Sequence, residues 1–399
     1  MSRRGELDIV VVGAGVAGSA MAVALVRAGF DVALVESRPP SRWHAADEVD
    51  PRVVALAPDS AALLDELGVW RAVLAARASA YRRMRVWDAL APGELSFDAA
   101  DRGEAALGWI VENRLLQHVL WDALNAPPEG AGSARLLCPA EVVAVENDVD
   151  GVAVELADGT RLRARLLIAA DGAASPIRQQ LGIGTRDRDY GQRAIVAHVG
   201  TERAHEATAW QRFQPGGPLA FLPLVDGRCS IVWSRPDADA ARMLALDESA
   251  FLAELGCAFD FRLGAITSTT LRYAFPLKLR LAERHAIGRC ALLGDAAHAV
   301  HPLAGQGLNL GLRDVRCLAA LLTRAQQRGG DPGAANLLRR YERERRSENT
   351  LAARGLDLIE RSFGSEAMPI VAVRGLALSL ADRLGPLKHL LGDAAAGRL

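Results

Sequence analysis

The sequence predicts an α/β fold in which a parallel-sheet domain carries an inserted, mainly antiparallel sheet and ends in helices. An apolar run at residues 7–12 (LDIVVV) breaks into glycines, passes through a small-residue helical stretch at 16–29, and resumes as a second apolar run at 31–36. Continuous apolar runs are what buried parallel strands need, and about 30 residues is the size of a βαβ unit. Between 186 and 276 the pattern changes to short strands separated by Gly and Pro clusters such as QPGGP and VDGR. After the apolar run Cys290–Leu293 the chain reads as helices near 307–325, 336–360 and 367–391.

The remaining elements follow in order. Residues 58–70 read as a helix stopped by Gly68, residues 81–98 as a strand pair, and 111–124 (VENRLLQHVLWDAL) as a helix. Residues 141–168 alternate apolar and polar around Asp158-Gly159, as antiparallel strands do, and one helix is expected near 247–256. The expected division is 1–75, 105–178 and 275–340 for a discontinuous nucleotide-binding domain, 76–104 and 179–274 for a second domain, and 341–399 for C-terminal helices. A chain of 399 residues is too long for one core, which suits two interleaved domains.

Bulk chemistry removes several function classes. The formal net charge is -1, so no global field attracts nucleic acid. The five cysteines, Cys138, Cys229, Cys257, Cys290 and Cys317, form no C-x-x-C pair and have no histidine at metal-ligand spacing. Neither a disulfide framework nor a metal site is expected, and a reducing cytoplasm is the default compartment. Arg3 and Arg4 precede an apolar run, as in a signal peptide, but that run continues into Gly13 and reads as a strand. No charge-free apolar stretch of about 18 residues exists, so no membrane span is expected.

Gly13-Ala14-Gly15-Val16-Ala17-Gly18 follows the first strand and opens the first helix. Glycines there permit a tight turn and close approach to a diphosphate, and the helix end offers free N–H groups and partial positive charge. Glu36 stands 18 residues beyond Gly18, placed to accept ribose hydroxyls. An acid argues against a 2′-phosphate, so FAD or NAD fits better than NADP, and this motif leaves the two open. A glycine turn without a ligand is the plain alternative.

The second motif is GDAAHAVHPLAGQGLNLGLRD, with Gly294, Asp295, Ala296, Ala297, His298, Pro302, Gly305, Gln306, Gly307, Asn309, Gly311 and Asp314. It resembles the second FAD motif of the group A FAD-dependent aromatic monooxygenases. Asp295 at a strand end suits a ribityl hydroxyl, Gly305 and Gly307 admit the flat isoalloxazine ring, and a helix starting near Leu308 would stabilise negative charge on it. Asp171-Gly172-Ala173-Ala174-Ser175-Pro176-Ile177-Arg178 resembles the same group's short Asp-Gly motif. Its plain reading is a turn with Ser175 as a cap, and Arg178 as a cofactor contact stands evenly against it.

Further stretches narrow the resemblance to the ubiquinone-biosynthesis hydroxylases: Asp50–Leu56 (DPRVVAL), Ile110–Asn113 with Arg114 and Gln117, Tyr190-Gly191-Gln192, and Gly217–Leu224 (GPLAFLPL). The resemblance implies a p-hydroxybenzoate-hydroxylase-like fold with a Rossmann-like FAD domain. It implies bound FAD, NAD(P)H as a transient reductant, O₂ as co-substrate, and a prenylated phenol or quinol hydroxylated through a flavin C4a-hydroperoxide. Cofactor contacts carried over are Gly13, Gly15, Val16, Ala17, Gly18, Glu36, Arg52, Arg114, Gln117, Asp171, Asp295, Pro302, Gly305, Gly307, Leu308 and Asn309. Pro302, Gly305 and Gln306 would form the reaction site without acting as a fixed base, and His298 reads as a hydrogen-bonded structural residue before it reads as a base.

Alternatives remain open at this point. One is a hydroxylase of a small aromatic such as a hydroxybenzoate. Another is an epoxidase or halogenase, although the W-x-W-x-I-P run of halogenases is missing. A third is a flavin-binding sensor without turnover. Trp43 and His44, in the loop at 39–50, and His198, His205 and Trp210 receive no role. Residues 363–392 mix apolar runs with Arg374, Arg383, Lys388 and His389. They read as helices packed on the protein or a second copy, ahead of an amphipathic pair at the inner membrane face or a contact with other ubiquinone-synthesis proteins.

Overall fold

The computed structural model describes residues 7–300, 306–364 and Val371. The predicted helix at 367–391, the N-terminal Arg3 and Arg4, and the site residues Pro302 and Gly305 lie outside the described residues.

The two apolar runs are strands Leu7–Val12 and Val32–Val35, paired in parallel. Leu7–Val12 also pairs in parallel with Arg161–Ala169, which pairs with Cys290–Leu292. Side chains alternate between faces, so Ile9 and Val11 join one core while Val10 and Val12 join another. The first core is closed by helices Val16–Arg27, Pro58–Glu66, Asn113–Asn125 and Gln306–Gln327. The second is closed by strands Val142–Asn147 and Val152–Leu156, which hairpin onto Arg161–Ala169. Residues 111 and 112, read as the start of a helix, instead end strand Gly108–Glu112, which is held on both edges by antiparallel pairing with strands Val53–Leu56 and Ala78–Tyr81.

A second sheet joins Thr185–Thr201, Cys229–Pro236, Leu219–Pro223 and Thr208–Phe213 in antiparallel order, and Arg83–Asp88 adds to it in parallel. Trp210, Phe221, Ile231 and Trp233 face helices Asp237–Ala245 and Glu248–Ala258, the first of which the sequence reading missed. Strand Tyr273–Ala282 pairs with Thr185–Thr201, so the domain boundary drawn at residue 275 falls inside an element of the antiparallel sheet. The boundary at 341 likewise cuts helix Ala335–Gly364. Alternation alone cannot say which of two sheets a strand will join.

Candidate active site

The glycine turn after Leu7–Val12 is set by backbone crowding. Gly13 has φ +100°, and a Cβ there would lie 2.3 Å from the carbonyl oxygen of Ala170. A Cβ on Gly18 would lie 2.0 Å from the carbonyl oxygen of Gly13, so only glycine lets helix and turn pack this closely. Gly15 caps helix Val16–Arg27 without a side-chain acceptor, and the space beside it is open. The helix therefore presents unsatisfied N–H groups to a cleft, a ready anion site.

That cleft is a cavity of about 1160 Å³, lined by Gly13, Gly15, Val16, Ala17, Gly18 and Glu36 at one end. Glu36 Oε2 accepts from the Ala14 amide at 2.7 Å and Oε1 from the Arg38 amide at 2.9 Å. The acid thus holds the turn while facing the site. Gln117 Nε2 donates to the Ala14 carbonyl at 2.6 Å and lines the cleft, as does Arg52, whose guanidinium lies 5.7 Å from the Phe275 ring centroid.

The second loop meets the first by glycine contact. A Cβ on Gly294 would lie 3.3 Å from Ala17 Cβ, and one on Gly311 would lie 3.4 Å from Gly294 Cα. Asp295 projects from this loop with its side chain accessible from the cleft. The surrounding protein desolvates its carboxyl and pushes its pKa up, against the pull of His298 and Arg52. Such a carboxyl is a strong hydrogen-bond acceptor facing the cleft. Gln306, Gly307, Leu308 and Asn309 bring the start of helix Gln306–Gln327 to the same cavity. A long cleft with an anion-binding helix end, a hydrogen-bond-hungry carboxyl and a glycine-bare floor fits FAD.

Several expected contacts are placed otherwise. Arg114 does not line the cleft; its guanidinium sits 3.1 Å from Asp47 and 3.7 Å from Asp50. Arg178 is 2 % exposed and donates to the carbonyls of Ala296 at 2.8 Å and Ala173 at 2.9 Å, tying the two Asp-bearing loops together rather than facing the cofactor. Asp171 lines the cleft, but its carboxylate accepts from Ser175 Oγ at 2.6 Å and the Ile177 amide at 3.1 Å. Ser175 caps that turn by accepting from the Arg178 amide. Asn309 accepts from the Ala57 amide and Ser60 Oγ and donates to the Ala55 carbonyl, so its amide pins the helix start to the Val53–Leu56 strand end. His298 is fully buried, with Nε2 2.5 Å from Asp314 Oδ2, which excludes it as a base facing substrate.

Residues with no assigned role in the sequence also matter. Buried Glu112 accepts from Trp43 Nε1 at 3.1 Å and the Asp50 amide at 2.7 Å, with Arg77 Nε at 3.2 Å, and so anchors the 39–50 loop. His198 Nε2 is 3.1 Å from the Asp50 carbonyl, and burial lowers its pKa. At its far end the cavity runs onto the antiparallel sheet, where Met84, Ala220, Leu222 and Val232 form an apolar wall with Gln211 and Ser234 among them. Tyr81 stands where this wall meets Val53 and Leu222, and burial raises its hydroxyl pKa to about 12, so it stays a neutral donor. Ala220 and Leu222 fall within the Gly217–Leu224 stretch that carries the family resemblance, whereas Met84, Gln211 and Ser234 carry no sequence signal beyond strand alternation. Among the described residues no His, Cys, Asp or Glu cluster could hold a metal ion, and all five cysteines are free.

The chain matches the FAD binding domain family over residues 6–354. Ubiquinone hydroxylase UbiL of Rhodospirillum rubrum is 39% identical over 98% of this chain and 90% of that protein. The 3-demethoxyubiquinol 3-hydroxylase of Escherichia coli is 38% identical over 96% of each, and the human ubiquinone biosynthesis monooxygenase COQ6 is 34% identical over 96% of this chain and 91% of its own. In fold, the p-nitrophenol 4-monooxygenase PnpA of Pseudomonas putida superposes with a TM-score of 0.77 at 20% identity, covering 99% of both chains. Klebsiella pneumoniae HpxO, solved with FAD and uric acid, gives a TM-score of 0.72 at 22% identity, covering 99% of this chain and 97% of its own. The likeness in sequence runs through both glycine loops and the sheet that faces them, and the chain therefore belongs to the FAD binding domain family, as an FAD-dependent monooxygenase.

Proposed function

We propose that this monooxygenase hydroxylates the ring of a polyprenylated phenol or quinol in ubiquinone biosynthesis, consuming NAD(P)H and O₂ and releasing water. The observation that carries this is the continuity of the cavity. One end is polar, glycine-bare and built for a dinucleotide; the other is an apolar sheet face suited to a ring bearing a hydrocarbon tail. Relatives 34–39% identical to this chain are named as a ubiquinone hydroxylase, a demethoxyubiquinol hydroxylase and a ubiquinone biosynthesis monooxygenase, which supports the same substrate class.

Bound FAD supplies the redox and oxygen-transfer chemistry. The chain's residues do the rest. The open N-terminus of Val16–Arg27 would take the diphosphate, with Glu36 on the adjoining ribose and Asp295 on the ribityl chain. The helix end at Gln306–Asn309 would border the ring. Met84, Leu222 and Val232 exclude water from the reacting carbon, while Gln211, Ser234 and Tyr81 offer hydrogen bonds that orient a ring hydroxyl.

The test is oxygen-dependent NAD(P)H consumption across phenols with and without prenyl tails, with product mass measured. A gain of one oxygen atom on prenylated substrates alone is expected. Equal turnover of a small hydroxybenzoate would favour the small-aromatic reading, and consumption that no phenol stimulates would favour a flavin sensor. Asp295→Ala should purify colourless.

A peripheral membrane contact belongs to the same proposal. Arg339, Arg343, Arg346 and Arg354 lie on one exposed side of helix Ala335–Gly364, beside Leu351, which is 74% exposed. Basic residues flanking an exposed leucine suit an anionic lipid surface, where a tailed substrate resides. No described helix is long and apolar enough to cross a membrane. Co-flotation with anionic but not neutral vesicles is expected, and its absence would remove this part of the proposal.

A further inference from the structure

Asp314 closes the second motif but does not face the cleft. It is fully buried, and its carboxylate accepts from His298 Nε2 at 2.5 Å, Arg345 Nε at 2.7 Å, the Gly294 amide at 3.1 Å and Asn349 Nδ2 at 3.1 Å. Arg345 Nη2 also donates to Asn349 Oδ1 at 2.9 Å, so the two residues support each other. The donors come from separate segments: the Gly294–Ala296 turn, strand His298–Ala299 and helix Ala335–Gly364. A buried carboxylate is costly unless its lone pairs are filled, and here they are filled by the groups that must stay in register.

The same helix grips the strand leading into that turn. Tyr341 Oη donates to the Leu292 carbonyl at 2.8 Å, and Glu342 Oε1 accepts from the His285 amide at 3.0 Å. Asp314 itself rides on helix Gln306–Gln327, whose start borders the cavity. One carboxylate therefore sets the distance between the loop bearing Asp295 and the helix end bearing Gln306 and Leu308.

We propose that Arg345 and Asn349 are positioning residues for the cofactor: acting through Asp314, they hold the Gly294–Asp295 turn against the start of helix Gln306–Gln327 so that both meet one FAD. This rests on the reading that Asp295 contacts FAD. Arg345 lies outside both glycine motifs, in a run (RRYERERR) whose other arginines are exposed or half-exposed. Buried at 3 %, it is the one whose Nε reaches the motif.

The experiment follows FAD release from purified holoenzyme by equilibrium dialysis and by recovery of free-flavin fluorescence, with melting temperature measured on the same samples. Arg345→Met and Asn349→Leu should weaken FAD binding by about ten-fold or more, and Arg345→Lys should recover part of that loss, as supporting residues do at other cofactor sites. Asp357→Asn is the control. Asp357 sits on the same helix but contacts Arg188 and Tyr190 of the antiparallel sheet, so its loss should lower the melting temperature without changing FAD affinity. Should Arg345→Met fail to fold, Asn349→Leu keeps the Arg345–Asp314 pair and carries the test. FAD affinity within about two-fold of wild type in Asn349→Leu, or an equal loss in Asp357→Asn, would overturn the proposal. A colourless Asp295→Ala alongside normal Asn349→Leu defeats this inference alone; an Asp295→Ala that binds FAD normally defeats the underlying reading as well.

Discussion

The two loops that meet across the cofactor cleft are built by different physics. The Gly13–Gly18 turn is closed by backbone crowding between residues near in sequence and the adjoining strand end at Ala170. The Gly294–Asp295 turn and the helix start at Gln306 are closed by polar side chains from far along the chain. Asn309 ties to Ala55, Ala57 and Ser60, and Asp314 to Gly294, Arg345 and Asn349. A sterically closed loop fails when a methyl group is added. A loop closed by hydrogen bonds fails when a donor is removed or a proton is gained.

The sharpest way to break this contrast is Gly18→Ala. With the added Cβ placed 2.0 Å from the Gly13 carbonyl, the turn must open, and a loss of more than about 4 kcal/mol is expected. The protein should be insoluble or purify without FAD, as its visible absorbance would report. A yellow, wild-type-like Gly18→Ala would mean that crowding does not close the first loop.

Next in size is Asn309→Leu, which removes hydrogen bonds to the Ala57 amide, Ser60 Oγ and the Ala55 carbonyl. At about 1 kcal/mol for each bond, a loss of about 3 kcal/mol in unfolding free energy is expected from denaturant titration. FAD should be retained at reduced occupancy, since the residue holds the helix start without touching the first loop.

The second loop should also respond to acid. Burial holds the His285 imidazole at a pKa of about 4 despite the attraction of Asp314, with His298, Arg345 and Arg346 pushing the same way as burial. In the unfolded chain it titrates at 6.5. Between those values the unfolded state takes up a proton that the native state refuses, so its contribution is full above pH 6.5 and is lost as pH falls toward 4. The expected loss is about 2 kcal/mol from pH 7 to pH 5. His285→Asn should flatten that slope in melting-temperature scans; an unchanged slope would remove His285 as its source. Asp314 acts in a lower window, because its depressed carboxyl loses its contribution only as pH falls below the ordinary 3.8.

The smallest effect is expected from Gln117→Ala, which removes one hydrogen bond to the Ala14 carbonyl. About 1 kcal/mol of unfolding free energy should be lost in the FAD-free protein, with FAD affinity reduced by no more than about five-fold. A larger loss would mean that the first loop, too, depends on distant polar support.

Much of the fold and the cofactor was legible along the chain. The strand at Leu7–Val12, the glycine turn, the acid at Glu36 and the Gly294-Asp295 loop all declare themselves through neighbours, because apolar runs and glycine sterics act over a few residues. The sequence by itself determined the two glycine loops and the FAD-dependent family they mark. Only the tertiary structure decided which motif side chains face the cleft: Arg178, Asn309 and Asp314 turn to the protein, Arg114 turns to Asp47, and Arg345 becomes a partner of the motif. A polar side chain takes whichever unsatisfied donor or acceptor the fold brings beside it, and that partner can lie hundreds of residues away.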